Sequence, residues 1–332
     1  MRVLGRMAQL YNGIWADTPP AAEEIGEDGR FRRIDSPLRG TISPDPAAEF
    51  PAEAGRYHLF VAWVCPWAAR ALAYRVLKGL EDVIGVSYAR PGLPKQGWVF
   101  DQDADGNPVE DGWPLWKLYV EHDPGFTGKV TVPTLWDSKT RRIVNNESSE
   151  IIRILNSAFD GITGNRLDFY PPALRRPVDR WNDLIYPGLN NGVYRAGFAR
   201  TQEAYEEAAW QVFHTLDVME EQLALNRYLT GEYLTEADWR AFTTLVRFDV
   251  GYHSAFKCNL RRIEDYPALR NYLRELYQWP GIADTVRLDL IKHGYWFLSD
   301  RNHVVAIGPE LDLATPHDRD HLDGKGVMER LA

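Results

Sequence analysis

The sequence predicts an α/β domain followed by an all-α domain, and three observations carry this. From about residue 51 to 160, strand-like apolar runs alternate with amphipathic helical spacing, the pattern of a mixed α/β layer. After DFYPPALR the strand signals largely vanish. From about Pro177 to Tyr295 the chain reads as successive helices separated by NNG, TGEYL, DYP and WPG breaks. Its 332 residues suffice for two ordinary domains with extensions. They divide as an extension over 1–50, an α/β domain over 51–160 with an insertion at about 91–128, a helical domain over 170–300 and a tail over 301–332.

The extension is rich in Pro, Gly and acidic side chains (DTPPAAEEIGEDGR, SPDPAAEFPAEAG) and reads as an arm laid over a domain. YHLFVAWVC is then a nearly continuous apolar run, as expected of a strand buried on both faces. PWAARALAYRVLKGL follows, with Ala69, Leu72, Val76 and Leu80 at helical spacing and Gly79 near its end. IGVSYA predicts a second strand. Arg90 to Gly128 is a long polar, aromatic stretch containing GWVF and GWPLWKLY, of the kind that is functional or inserted. KVTVPTLWD predicts a strand broken at Pro133, RRIVNN another strand, and ESSEIIRILNSAF an amphipathic helix. One start in the helical part is well specified. In LTEADWRAF, Thr235 is the N-cap, Asp238 its partner three residues on, and Leu234 with Trp239 the hydrophobic staple. The last thirty residues are polar with Pro and Gly, a tail that packs back or stays loose.

Composition narrows the function. Hydrophobic residues make up 45% and charged residues 26%, so wholesale disorder is out. A net charge of −9 repels phosphate backbones, which argues against nucleic-acid binding. The longest run free of Asp, Glu, Lys and Arg, Tyr57 to Ala69, has 13 residues, whereas a membrane span needs roughly 18 or more. The opening MRVLGRMAQLYNGIWADTPP lacks the apolar core and cleavage site of a signal peptide. Cys65 and Cys258 are the two cysteines, too few for a disulfide framework. The chain is therefore read as cytoplasmic. Neither cysteine lies in a metal-type cluster, and the one close histidine pair, His317 and His321, sits in a polar tail, so no metal is expected.

Three positions carry candidate chemistry. Cys65 follows a buried strand and precedes Pro66, which suits the first turn of a helix. A thiol there meets free backbone N–H donors and the positive end of the helix dipole, which favours the nucleophilic thiolate; the bland alternative is a small buried hydrophobe. Pro133 within an apolar strand removes a ladder donor and demands an edge, a bulge or a cis bond. In the cis case the backbone of Val132 turns outward, free to pair with a peptide-like ligand. Glu147-Ser148-Ser149 opens a helix straight after a strand, either as an anion site or as a plain capping segment.

Taken together, a strand ending in Cys-Pro, a strand with Val-Pro and a strand leading into Glu-Ser resemble the glutathione site of thioredoxin-fold glutathione transferases. Longer motifs narrow the match: CPWAAR, GWVF at Gly97 to Phe100, VPTLWD, IVNNESSEIIRILN, NNGVYRAGFA, RYLTGEYLTEADWRAFTTLVRFD, FKCNLRRIEDYPALRNYLRELYQ and GPE. These are similar to glutathionyl-hydroquinone reductases, the xi class of glutathione transferases, related to the omega class. The resemblance covers about residues 30 to 315 and implies an N-terminal thioredoxin-like domain followed by a C-terminal helical glutathione-transferase domain.

Function follows from the resemblance position by position. It implies that Cys65 is the nucleophile of a reductive deglutathionylation, with glutathione as co-substrate and glutathionyl-hydroquinones as substrates. The mixed disulfide on Cys65 is resolved by a second glutathione, so a lone cysteine suffices. Val132, beside a cis Pro133, would pair with the cysteinyl part of glutathione. Glu147 and Ser148 would hold its γ-glutamyl end. Trp98 would lie along the peptide, or else pack the insertion. Tyr194, Tyr252 and Tyr295 match three family tyrosines that would donate to the leaving ring or sandwich it; ordinary packing with a wet hydroxyl is the alternative for each. Cys258 reads as a buried structural thiol, and Arg261 and Arg262 are open between ion pairs, substrate and interface. A homodimer is implied.

The insertion and both tails match no family motif, so substrate size does not carry over. Two other functions compete: a conjugating glutathione transferase or β-aryl ether cleaving enzyme, and a non-catalytic quinol-binding module. Cys65 argues against conjugation, because a cysteine at that spot tends to form the mixed disulfide itself. The joint presence of Cys65, Pro133, Glu147 and Ser148 argues against a mere scaffold.

Overall fold

The structure, a computed structural model, describes residues 9–16, 24–92, 95–298 and 304–330. Two compact units divide them. The first takes residues 9–16 and 34–165, the second residues 24–33 and 166–330.

At the centre of the first unit lies a four-stranded sheet. Its strands are β3 (Tyr57–Val61), β4 (Ile84–Tyr88), β8 (Thr134–Asp137) and β9 (Arg142–Asn145), in the order β4-β3-β8-β9. β3 runs parallel to β4 and antiparallel to β8, and β8 antiparallel to β9. Helix α1 (Pro66–Leu77) crosses over between the parallel pair, as such a pair requires. It packs on β3 and on α3 (Ser148–Ser157). The apolar run at Tyr57 makes a shorter strand than the nine residues predict. The chain turns after Val61, with the Cys65 amide donating to Ala62 O at 3.0 Å, so that helix α1 can start.

An ion pair fixes the far end of this sheet. Arg56 grips Asp137 in a fork, Nε to Oδ1 at 2.9 Å and Nη2 to Oδ2 at 2.5 Å, with Asp137 fully buried. Burial opposes the charge, but the Arg56 fork and the Thr140 hydroxyl outweigh it and hold the Asp137 carboxyl below its ordinary range.

Two stretches read as irregular carry structure of their own. The insertion holds a hairpin, β5 (Val99–Gln102) and β6 (Pro108–Pro114), then α2 (Trp116–His122). The N-terminal arm contains β1 (Gln9–Tyr11) and β2 (Ile14–Ala16), and β1 also pairs with β7 (Gly128–Lys129). Asn12 and Gly13 turn this hairpin, both at positive φ. Asn-Gly between apolar residues is a strong hairpin signal, and QLYNGIWA carries it inside an arm whose composition reads as irregular. KVTVPTLWD is likewise two strands, β7 and β8, parted by Val130–Pro133.

The second unit is built on α5 (Arg175–Ile185), α6 (Gly192–Phe198), α7 (Gln202–Leu225), α8 (Glu236–Arg247), the single turn α9 (His253–Ala255), α10 (Pro267–Tyr277) and α11 (Leu288–Leu298); α4 (Asp160–Thr163) closes the first unit. Wide π-type turns at Tyr186–Asn190 and Phe248–Tyr252 follow α5 and α8. The capping box at Thr235 and Asp238 is present, and Asp238 also accepts from the Leu229 amide and the Tyr272 hydroxyl. Among the described residues no helix is long and apolar enough to cross a membrane.

The tail packs back. Strand β11 (Met328–Glu329) pairs with β10 (Leu167–Asp168). Arg319 is buried, its Nε on Glu275 at 3.0 Å and its other nitrogens on the carbonyls of Leu223, Asn226 and Arg227.

His58 gives the sheet a pH dependence. Burial first, then the nearby Arg75 charge, lowers its pKa to about 4, while its Nε2 lies 2.8 Å from Ser87 Oγ. The folded chain thus resists a proton that the unfolded chain takes up near the ordinary value of about 6.5. Stability is therefore present above that value and lost as pH falls from about 6.5 towards 4. Between pH 7 and pH 5 the wild type should lose about 1–2 kcal/mol more than His58→Asn, read from urea midpoints at the two pH values. Equal losses in both proteins would sink the assignment.

Candidate active site

Helix α1 positions the first functional side chain. Cys65 is its N-cap, with extended backbone, and its Sγ accepts from the Ala68 amide at 3.5 Å. Pro66 takes the first helical position, where a missing N–H costs nothing. The sulfur is only part-buried, and it lies 3.4 Å from Val132 O, to which the thiol donates. The Val132–Pro133 bond is cis, so of the three alternatives for Pro133 this is the one adopted.

The sheet explains why these groups meet. Phe60 of β3 stands opposite Thr134 of β8, so the end of one strand and the start of its antiparallel neighbour share an edge. Cys65 leaves the first and Val132 enters the second.

Glu147 and Ser148 sit at the start of α3. Glu147 is the N-cap: its Oε1 accepts the Ser149 amide at 2.9 Å and the Ser149 hydroxyl at 2.8 Å. Ser148 is buried, and its Oγ accepts from Arg70 of α1 at 3.3 Å. The first amides of any α-helix have no acceptor within it, which makes this terminus suited to a carboxylate.

A buried hydroxyl in the insertion joins these two groups. Tyr119 of α2 donates to Thr131 O (3.2 Å), takes a bond from Asn146 Nδ2 (3.1 Å) and meets Thr134 Oγ1 (3.0 Å). It thereby ties the residue before Val132 to the residue before Glu147. Sequence reasoning passed over Tyr119, Asn146 and Arg70. Tyr119 lies in GWPLWKLY, where helical spacing of Leu115, Leu118 and Tyr119 marks a buried face.

Trp98 is part-buried at the entry to β5, its carbonyl accepting the Leu115 amide at 2.8 Å. Phe100, two residues on, packs edge-on against Phe60 of β3, which anchors the hairpin to the sheet.

The three tyrosines form a second cluster, in the helical unit. Tyr194 Oη and Tyr295 Oη are 2.8 Å apart, and Tyr252 Oη and Tyr295 Oη 2.7 Å. Tyr252 and Tyr295 are essentially inaccessible, at 0% and 1%, while Tyr194 is 9% exposed, so the chain of hydroxyls has one outer member. Burial pushes the pKa of Tyr252 and Tyr295 well above its ordinary value, and both stay neutral donors at physiological pH. The π-type turn supplies the geometry: a Cβ on Gly251 would lie 2.8 Å from the Tyr295 ring, so only glycine lets the ring approach. Arg33 lies over the Tyr194 ring at 4.8 Å, with Nε on Asn191 Oδ1 at 2.9 Å. Phe256 packs on Tyr194 and Tyr295. Arg33 stands some 160 residues from Tyr194 in sequence, and no local pattern announces the pair.

Family models for the glutathione S-transferase N-terminal domain match residues 64–158, and those for the C-terminal domain residues 202–275. The glutathionyl-hydroquinone reductase YqjG of Escherichia coli is 46% identical over 95% of this chain and 99% of its own length. The glutathionyl-hydroquinone reductase PcpF of Sphingobium chlorophenolicum is 47% identical over 87% and 91%. This chain belongs to the glutathionyl-hydroquinone reductases. Solved xi-class structures agree with that. The xi-class transferase of Natrialba magadii superposes with a TM-score of 0.87 at 43% identity, covering 97% of this chain and 99% of that one. YqjG with glutathione bound gives 0.82 at 43% identity, covering 94% and 99%. The thioredoxin-like sheet followed by a helical domain is thus the reductase fold.

Other side chains of this reductase find structural roles. Cys258 is buried, and burial pushes its thiol up to about 12. Arg261 pairs with Asp217, and Arg262 with Asp265. His317 Nδ1 accepts the Arg319 amide, and His321 Nδ1 faces Asp318 O at 2.7 Å.

Two expectations follow. Iodoacetamide under native conditions should add one label, on Cys65, with Cys258 labelled only after denaturation; peptide mass spectrometry reads the sites, and rapid native labelling of Cys258 would contradict the geometry. Tyr119→Phe should destabilise the fold by about 1–3 kcal/mol, because it strands buried partners. Denaturant midpoints within error of wild type would show the hub to be dispensable.

Proposed function

We propose that this chain catalyses glutathione-dependent reduction of glutathionyl-hydroquinones to free hydroquinones, releasing oxidised glutathione. The observation that carries the mechanism is Cys65 at the N-cap of α1, part-exposed, with its sulfur accepting from the Ala68 amide at 3.5 Å. Family membership supports the reaction class.

The Cys65 thiolate attacks the sulfur of the substrate's glutathionyl group. The aromatic carbon–sulfur bond breaks, its electron pair stays with the ring, and the ring carbon takes a proton. Cys65 is left as a mixed disulfide with glutathione. A second glutathione attacks that disulfide, regenerates Cys65 and leaves as oxidised glutathione. The ring is reduced by two electrons and two glutathione sulfurs are oxidised by two, so the balance closes.

Val132 pairs its backbone with the cysteinyl unit of glutathione, beside Pro133. Glu147 takes the ammonium of the γ-glutamyl end and Ser148, with the α3 terminus, its carboxylate. Trp98 lies along the tripeptide. Tyr194, the outermost, supplies an O–H donor for charge developing on the oxygens of the ring, and Tyr295 and Tyr252 support it through the chain of hydroxyls behind it. The same reading carries a homodimer, which light scattering checks.

Cys65→Ser should abolish both the glutathione adduct, read by intact mass, and formation of hydroquinone and oxidised glutathione. Full turnover by this variant would remove the mechanism. Faster conjugation of a model electrophile than reduction would favour a conjugating transferase, and binding without turnover a quinol-binding module. Tyr194→Phe should lower kcat about ten- to a hundredfold with little change in KM for glutathione. An unchanged kcat would take Tyr194 out of the reaction.

A further inference from the structure

The N-terminal hairpin touches both segments that lead into the proposed tripeptide contacts of the first unit. On one side β1 pairs with Gly128 and Lys129, the Gly13 amide donates to Phe126 O at 3.0 Å and the Asn12 amide to Thr127 Oγ1 at 2.9 Å. That segment runs on into Val132. On the other side Trp15 donates from Nε1 to Lys95 O at 3.0 Å and stacks on Trp116, with centroids 6.2 Å apart and planes 19° from parallel. Trp116 Nε1 in turn donates to Gln96 Oε1 at 2.9 Å. Gly97, at φ +75°, lies under the Trp15 ring, where a Cβ would be 2.9 Å from its edge. The next residue is Trp98.

Residues 95–98 stand outside regular structure until β5 begins at Val99. Two indole bonds hold Lys95 and Gln96, and the Leu115 amide holds the Trp98 carbonyl. Leu10 of β1 is fully buried, so the hairpin is seated in the unit rather than resting on its surface.

We propose that Trp15 is a positioning residue for glutathione binding, holding the Lys95–Trp98 segment in place from the N-terminal arm while β1 holds the segment before Val132. This rests on the reading of Trp98 and Val132 as glutathione contacts. Trp15 acts on the binding of the tripeptide and not on bond breaking, so its loss appears in KM. The arm, which carries no family motif, thereby acquires a function in the reaction.

The test compares Trp15→Ala, Trp15→Phe and Trp98→Ala in the full chain, measuring kcat and KM for glutathione and for a glutathionyl-hydroquinone, with thermal unfolding alongside. Trp15→Ala should raise both KM values roughly tenfold, about the size of one lost hydrogen bond with its stacking, and leave kcat within about twofold. Trp15→Phe keeps a ring on Trp116 but loses the bond to Lys95, and should fall between wild type and alanine; it also serves should the alanine variant not fold. Unchanged KM in both Trp15 variants, with Trp98→Ala raising it, overturns the inference and leaves the site reading intact. Should Trp98→Ala leave KM unmoved while Trp15→Ala raises it, Trp98 is no glutathione contact and the arm acts through the segment before Val132. A fall in kcat and unfolding temperature with KM constant would reduce Trp15 to a purely structural role.

Discussion

The antiparallel register between β3 and β8 is the constraint on which the catalytic half of the molecule depends. Strands that run in opposite senses bring the end of one beside the start of the other, and side chains leaving that edge are held to the precision of a hydrogen-bonded ladder. Cys65 and Val132 owe their contact to it. A slip of one residue would exchange the two faces of β3 and unseat the packing on both, since the consecutive residues Leu59, Phe60 and Val61 are all essentially inaccessible. The Arg56–Asp137 fork at the opposite end of the same strand pair adds a directional lock.

Polar groups then refine what the ladder sets. Tyr119 spends its hydroxyl on Thr131, Thr134 and Asn146 at once, coupling the approach to Val132 with the approach to Glu147. The helical unit uses the same device with less variety: three phenols in a row, two of them sealed from water. A buried phenol that keeps its proton remains a hydrogen-bond donor, whereas an ionised one would be an acceptor only. Burial thus selects the form that stabilises negative charge elsewhere.

Legibility in the sequence followed the range of the interactions. Local rules worked: Pro66 after Cys65 marked a helix start, Thr235 and Asp238 a capping box, and Pro133 in an apolar strand a backbone exception. The alternation of strands and helices, giving way to helices alone after DFYPPALR, matches the order of elements in the fold. What escaped depended on partners far away in the chain. Tyr119 acquires its meaning from Asn146, and Arg33 from Tyr194. The insertion reads as irregular in the sequence because β5 and β6, among the described residues, form a two-stranded sheet of their own and carry exposed polar residues in place of clean alternation. Asn12-Gly13 is the exception, a local turn signal with both residues at positive φ.

The burial of Arg319 has a consequence for how the chain matures on the ribosome. All four strands of the sheet, with α1 and α3, lie before residue 165, so the elements of the first unit are made while the rest is still being synthesised. Its neighbour has to wait. Residues 24–33 are made early but belong to the helices that follow, and carbonyls at the end of α7 are satisfied by a guanidinium 92 to 96 residues further along the chain, which also takes Glu275. The helical unit is therefore complete only once residue 319 has been made.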